Sequence, residues 1–170
     1  MRFTAAKNLR RTLGAAIGAL LISLVLPASP AAALDMNGWV TVVNLNSNKC
    51  LEVGGWSTAD GAGVNQWDCH DGNNQKWLAV PYGSGALIYN AHSRKCLEVK
   101  GWSKANGAQI GQWDCHGGAN QQWQIRSGGY PFSLVNVNSG KCLEIGGWSY
   151  DNGAPATQWD CHWGENQSWL

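Results

Sequence analysis

Gln66-Trp67-Asp68-Cys69-His70 and, four residues on, Asn74-Gln75-Lys76-Trp77 decide the fold, because the chain writes this stretch three times. The first part recurs as Gln112-Trp113-Asp114-Cys115-His116 and as Gln158-Trp159-Asp160-Cys161-His162. The second recurs as Asn120-Gln121-Gln122-Trp123 and as Asn166-Gln167-Ser168-Trp169. Upstream, Lys49-Cys50-Leu51-Glu52 returns as Lys95-Cys96-Leu97-Glu98 and as Lys141-Cys142-Leu143-Glu144. Every spacing is 46 residues, and no insertion breaks the register between Asn44 and Trp169. A period of this length marks a repeat architecture, whose units bury their apolar faces only against one another. The units span about 38–82, 83–128 and 129–170.

Within a unit the sequence reads as short strands and turns. Trp39-Val40-Thr41-Val42-Val43 is rich in β-branched residues, and Ala86-Leu87-Ile88-Tyr89 and Phe132-Ser133-Leu134-Val135 are its counterparts. Cys50-Leu51-Glu52-Val53 alternates apolar with polar, as a half-buried strand does. Gly54-Gly55 and Asp60-Gly61 punctuate as turns. Val64-Asn65-Gln66-Trp67 is a third strand and Gln75-Lys76-Trp77-Leu78-Ala79-Val80 a fourth. The last copy stops one residue after Trp169, so the final strand is expected to be short and prone to fray. Residues 34–170 show no helical periodicity. Four strands per unit predict an all-β protein of about twelve strands. Two architectures repeat four strands at this period. The Trp67-Asp68 pair resembles the WD signature of β-propellers, but the Gly-His half is missing and a propeller needs about four blades or more. Three units are what a β-trefoil needs, and that is the expected fold.

Composition narrows the function classes. The 170 residues include 11 Trp, 22 Gly and 6 Cys, and only 14% are charged. An even charge balance, net +1, gives no basic surface for a phosphate backbone, so no nucleic-acid partner is expected. The N-terminus carries Arg2, Lys7, Arg10 and Arg11, then an apolar run from Leu13 to Leu26, then Ala31-Ala32-Ala33. That order describes a secretory signal peptide, residues 1–33, cut after Ala33. The run falls short of the roughly 18–20 residues of a membrane-spanning helix. Residues 34–170 then carry 8 positive and 11 negative residues, net −3, and are expected to form one secreted, extracellular, monomeric domain with no membrane span.

Cys-Leu-Glu-Val (Cys-Leu-Glu-Ile in unit three), Gln-Trp-x-Cys and Asn-Gln-x-Trp, in that order and three times over, resemble the ricin-type β-trefoil lectin domain. The Gln-x-Trp ending is that family's hallmark, carried here by Gln75 and Trp77, Gln121 and Trp123, and Gln167 and Trp169. The resemblance covers residues 38–170 and implies a carbohydrate-binding protein with up to three shallow sites. It places an acidic residue two after the first Cys of each unit: Glu52, Glu98 and Glu144. It places a stacking aromatic two before the second Cys: Trp67, Trp113 and Trp159. The amide of the Asn-Gln-x-Trp motif is Asn74, Asn120 or Asn166. A polar residue four before the second Cys is Asn65 in unit one and Thr157 in unit three, while unit two has Gly111. His70, His116 and His162 complete each set, either at its rim or on the ligand. A sugar needs a flat aromatic face for its C–H groups and planar carboxylate or amide partners for its hydroxyls. This chain has Glu where the family usually has Asp, so the family's sugar preference does not transfer.

Six Cys allow 15 pairings. The three-fold repeat, an oxidising compartment and the family's own habit all point to pairing within units: Cys50 with Cys69, Cys96 with Cys115, and Cys142 with Cys161. The competing use is metal, but one Cys-His pair plus a distant Cys falls short of a zinc set. No metal or other cofactor is expected. Catalysis is not expected either. The three glutamates come one per unit, whereas a glycosidase needs two carboxyls roughly 5–9.5 Å apart at one site. Trp77, Trp123 and Trp169 are expected in the core. Trp67, Trp113 and Trp159 serve either stacking or packing. Trp56, Trp102 and Trp148 either wall a pocket or staple a loop, and Trp163 with Glu165 is the feature peculiar to one unit. Asn166-Gln167-Ser168 is formally a glycosylation sequon, here a by-product of the repeat motif. The rival function is a β-trefoil protein-binding module or protease inhibitor with vestigial sugar sites. An inhibitor would show one distinctive exposed loop, and these loops are nearly uniform.

Overall fold

The computed structural model describes residues 38–126 and 131–170, so the expected signal peptide lies outside the described residues. Unit one contains β1 (Val40–Thr41), β2 (Cys50–Val53), β3 (Val64–Trp67) and β4 (Lys76–Tyr82). Unit two repeats the order as β5 (Gly85–Asn90), β6 (Cys96–Val99), β7 (Ile110–Trp113) and β8 (Gln122–Arg126). Unit three supplies β9 (Ser133–Asn136), β10 (Cys142–Ile145) and β11 (Ala156–Trp159). The twelfth strand is reduced to the chain end. Trp169 bridges both Phe132 and Asn44, and Leu170 exchanges backbone hydrogen bonds of 2.8 and 3.0 Å with Val43. The short end is therefore paired on both sides rather than frayed.

These pairings close a ring. β1 pairs with β4, β4 with β5, β5 with β8 and β8 with β9, all antiparallel. The Trp169 segment joins the β9 side back to the β1 side. Three hairpins, β2–β3, β6–β7 and β10–β11, cap the barrel. They meet one another through the bridges Gly63 with Gly111, Asn65 with Pro155, and Gln109 with Thr157. This is the three-fold arrangement of a β-trefoil.

The reason for the fold lies in what each unit leaves exposed. Leu51, Leu97 and Leu143 are fully buried and share one core with Trp77, Trp123 and Trp169. Each indole N–H is satisfied in that core, donating to the carbonyl of Leu51 (2.8 Å), Leu97 (3.0 Å) or Leu143 (3.4 Å). A large aromatic with its polar edge satisfied is a stable core element. The Gln-x-Trp expectation for the core therefore holds. Disulfides Cys50–Cys69, Cys96–Cys115 and Cys142–Cys161 pin each hairpin, as the sequence led us to expect. In the chain-entropy view a loop of this size contributes roughly 3 kcal/mol.

Buried glutamines lock the units together. Gln66 Nε2 donates to the carbonyls of Ser149 (2.8 Å) and Asp151 (3.0 Å), which belong to unit three. Gln112 does the same to Ser57 and Ala59, and Gln158 to Ser103 and Ala105. Each unit thus holds the loop that follows its neighbour's Trp148, Trp56 or Trp102.

Candidate functional site

β2 and β3 pair with Glu52 opposite Asn65 and Cys50 opposite Trp67, so the hairpin carries the acid and the aromatic on adjacent strands. The disulfide then turns the chain so that His70 follows directly. The single 3₁₀ turn Asn73–Gln75 brings Asn74 and Gln75 under the hairpin. The result is one cleft per unit. In unit one it is lined by Glu52, Gly55, Trp56, Trp67 and His70, with a volume near 280 Å³. In unit two Glu98, Gly101, Trp102, Trp113, His116 and Asn120 enclose about 350 Å³. In unit three Glu144, Gly147, Trp148, Trp159, His162 and Asn166 enclose about 220 Å³. These volumes sit around the low end of the roughly 300–1,000 Å³ of drug-sized ligand sites. Each suits one small ring.

The floor is a buried carboxylate held by amides. Glu52 is 5% exposed, and its Oε2 accepts from Asn74 Nδ2 (3.2 Å) and Gln75 Nε2 (3.1 Å). Glu98 and Glu144 repeat both bonds at 3.2–3.3 Å. Gln75 also donates to the Asp68 carbonyl and accepts from the His70 backbone N–H, both at 2.9 Å. The glutamines are thus structural, as their sequence setting suggested. They fix the height of the histidine.

The histidine has a defined tautomer. The Gly72 N–H donates to His70 Nδ1 at 3.2 Å, so the neutral ring carries its proton on Nε2. That nitrogen lies 3.4 Å from Glu52 Oε2, and its counterparts lie 3.7 Å from Glu98 and Glu144. The ring also stacks on Trp56, with centroids 5.9 Å apart and planes 20° apart. Trp102 with His116 and Trp148 with His162 repeat this geometry. A Cβ on Gly72 would fall 2.7 Å from both Trp56 and His70, so glycine is what lets the chain pass behind the stacked pair.

This stack resolves the two readings of Trp56, Trp102 and Trp148 in favour of both. They staple the loop onto the histidine and they wall the cleft. Sequence reasoning missed Gly55, Gly101 and Gly147, which also line it. Their signal was the repeated Gly-Trp pair, whose two residues both take positive φ, near 60° and 55°. Trp67, Trp113 and Trp159 form the opposite wall and remain 42–44% exposed. Each ring edge is backed by a glycine of a neighbouring unit: Gly153, Gly61 or Gly107. Each cleft is lined by one unit, and the neighbouring unit only supports its outer tryptophan.

Two residues grouped with the site by sequence stand apart from the clefts. Asn65 lines a separate axial pocket with Gln109 and Pro155. Thr157 is buried and its hydroxyl lies 3.4 Å from Glu144 Oε1, where it braces the acid. At the matching position in unit two, Gly111 is covered by the aliphatic chain of Lys100, which a Cβ there would strike. Lys100 in turn replaces Gly54 and Gly146, so small and large residues exchange places across the hairpin. Asn74, the counterpart of Asn120 and Asn166, lies beneath its cleft. The Nδ2 of Asn166 is committed to Glu144 and the Ile145 carbonyl, which fits the sequon being a by-product of the motif. The Oδ1 atoms of Asn74, Asn120 and Asn166 are buried with no hydrogen-bond partner. An acceptor left that way costs about 1–3 kcal/mol.

The family described as ricin-type beta-trefoil lectin domain matches residues 38–169. Among solved structures, the designed three-fold symmetric protein ThreeFoil is 37% identical with a TM-score of 0.76, covering 78% of this chain and 96% of its own. An exo-beta-1,3-galactanase from Clostridium thermocellum is 31% identical with a TM-score of 0.75; the match covers 81% of this chain but 30% of the galactanase. The Macrolepiota procera ricin B-like lectin, in complex with lactose, shares the fold at 18% identity and a TM-score of 0.70, over 81% of this chain and 96% of that one.

Proposed function

Because the chain belongs to the ricin-type β-trefoil lectin family, we propose that it is an exported carbohydrate-binding protein with one shallow site in each of its three units. The observation that carries this reading is the cleft built three times from the same parts. A buried carboxylate lies at its floor, an asparagine lines it in units two and three and lies beneath it in unit one, and two tryptophans line it. The floor offers acceptors to sugar hydroxyls, and an unpartnered asparagine oxygen is the kind of group a hydroxyl would satisfy. The half-exposed indoles offer flat faces to the C–H side of a pyranose. A single cleft of this size gives weak binding, and three on one rigid body give avidity for a polysaccharide or a glycan-coated surface. Export follows from the signal-peptide reading of residues 1–33 and is supported by six cysteines in three disulfides. Among the described residues no helix is long and apolar enough to cross a membrane. Binding rather than hydrolysis is the assigned activity.

Affinity electrophoresis through gels containing β-1,3-galactan, xylan or laminarin, together with a lactose titration, tests this. The wild type is expected to be retarded by at least one polysaccharide. The triple variant Trp67→Ala/Trp113→Ala/Trp159→Ala is expected to migrate freely. No interaction of the wild type with any of these, or retardation unchanged in the triple variant, would overturn the reading.

A further inference from the structure

Each outer tryptophan is clasped by a neighbouring unit. Trp113, a wall of cleft two, sits between Gln112 and Asp114, and unit one bonds to both of those residues. Gln112 donates its backbone N–H to the Ala62 carbonyl (3.0 Å), and its own carbonyl accepts from the Gly61 N–H (2.8 Å). The Asp114 N–H donates to Asp60 Oδ1 at 3.0 Å. Gly61, at φ 75°, lays bare backbone against the indole, where a Cβ would stand 3.5 Å from Cζ3. Asn106 and Gly107 clasp Trp159 in the same way, and Asn152 and Gly153 clasp Trp67.

The clasps differ in one side chain. Asn152 accepts from the Asp68 N–H with its Oδ1 and donates with its Nδ2 to Asp68 Oδ2 at 2.8 Å. Asn106 makes both bonds to Asp160, at 3.0 and 2.8 Å. Lys49 and Lys141 then add a cation to carboxylates that an amide already holds. Between units one and two the asparagine is replaced by Asp60, which has no N–H to give to Asp114. Two acids meet there, and like charges at close range repel. Lys95 joins them, 2.6 Å from Asp60 and 2.5 Å from Asp114. Its side chain is 15% exposed, so this contact is screened less than one in open water.

We propose that Lys95 and Asp60 are positioning residues for cleft two. Lys95 neutralises the meeting of Asp60 with Asp114 and so holds Trp113 where a saccharide ring stacks. The amides of Asn152 and Asn106 do this for clefts one and three without needing a lysine. This rests on the carbohydrate reading above. Cleft two therefore depends on a cation outside its own lining. The lysine recurs in every unit, but the site needs it only where the amide has become an acid.

The test uses the full disulfide-bonded chain with one working cleft. Trp67→Ala/Trp159→Ala keeps cleft two, and Trp113→Ala/Trp159→Ala keeps cleft one. Lactose, xylotriose and laminaritriose are titrated, and the indole N–H resonance of Trp113 or Trp67 is followed by NMR. Lys95→Met is expected to weaken saccharide binding at cleft two about five-fold and to shift the Trp113 resonance. Lys49→Met is expected to leave cleft one within about two-fold and the Trp67 resonance in place. Asp60→Asn supplies the missing amide, and adding it is expected to bring Lys95→Met back to within about two-fold of the starting affinity. Asn152→Asp is expected to make cleft one as sensitive to Lys49→Met as cleft two is to Lys95→Met. Equal effects of the two lysine substitutions, or no rescue by Asp60→Asn, overturn the inference, because Lys95 would then act through the fold as a whole. Should Lys95→Met not fold, cleft one decides: Lys49→Met with the same effect whether or not Asn152→Asp is present overturns it. If the wild type binds none of the probes and no polysaccharide, the carbohydrate reading fails. The resonances then decide the clasp by themselves, and a Trp113 signal unmoved by Lys95→Met overturns it.

Discussion

Trp67 and Trp77 stand ten residues apart in the same unit and behave as opposites. Trp77 is 1% exposed, with its N–H bonded to the Leu51 carbonyl, while Trp67 turns its ring to solvent over Gly153. The same contrast holds for Trp113 against Trp123 and for Trp159 against Trp169. One residue type, abundant in the composition, therefore forms two concentric sets. The inner set closes the barrel and the outer set opens three clefts. Burial alone separates a tryptophan that holds the fold from one available to a ligand.

The sharpest way to break this contrast is to truncate one member of each set. Trp77→Ala is expected to cost about 3–5 kcal/mol in urea or guanidinium unfolding, the range for a large aromatic removed from a packed core. Trp67→Ala is expected to cost less than about 1 kcal/mol, since its ring is half in water already, yet to abolish binding at cleft one. Equal destabilisation by both would show the outer set to be core as well, and the stacking role would be lost.

Between the two sets lies the Glu52, Asn74 and Gln75 cluster, and it should respond in between. Gln75→Ala removes the donor to Glu52 and to the Asp68 carbonyl, and the acceptor of the His70 N–H. Leaving those groups unpaired is expected to cost about 1–3 kcal/mol and to weaken cleft one together with the fold. A loss of stability with full binding would show that the floor does not set the position of His70. Glu52→Gln keeps the shape but turns charge-assisted hydrogen bonds into neutral ones of about half the strength. Its expected stability cost is about 1 kcal/mol or less. Its expected effect on saccharide affinity at cleft one is larger than that, read by titration in the Trp113→Ala/Trp159→Ala background.

The sequence made the inner set legible and the outer set only partly so. Gln-x-Trp at a 46-residue spacing placed Trp77, Trp123 and Trp169 in one core, and the cysteine spacing led to the three disulfides. The resemblance to the ricin-type lectins also pointed to the acid and the outer tryptophan that line each cleft, and the repeat to its histidine. What linear spacing does not reveal is direction. Asn65 is Glu52's cross-strand partner, yet it lines the axial pocket, because its hairpin is one of three that meet at the cap. Trp56 held two readings because the repeated Gly-Trp pair marks a turn but not that its positive φ at Gly55 and Trp56 lays the indole on His70. The backing of Trp67 by Gly153 comes from another unit altogether and has no local signature.

The smallest expected effect tests whether the outer shell adds to stability at all. Lys95 bridges Asp114 and Asp60, so it ties unit two to unit one at the surface; among the described residues Lys49 pairs only with Asp68, which also accepts from Asn152 of unit three. Hydrogen bonding to Lys95 holds the Asp60 carboxyl below its usual range, and Lys95 itself is raised by Asp114 and Asp60. A carboxyl with a depressed folded-state pKa stabilises the fold above its unfolded value near 3.8, and the contribution disappears as pH falls through the lower folded value. Asp60→Asn is therefore expected to lower Tm slightly at pH 7, and the difference is expected to fade as pH falls through the lowered folded-state value. The ion pair is partly exposed, so about 1 M salt should shrink the difference. The substitution also gives unit one the residue that Asn106 and Asn152 supply in the other two units, and saccharide binding should be untouched. A Tm difference that persists at low pH would assign the effect to packing at the unit boundary instead of charge. The outer shell would then share in holding the trefoil together, and its separation from the inner tryptophans would be one of degree.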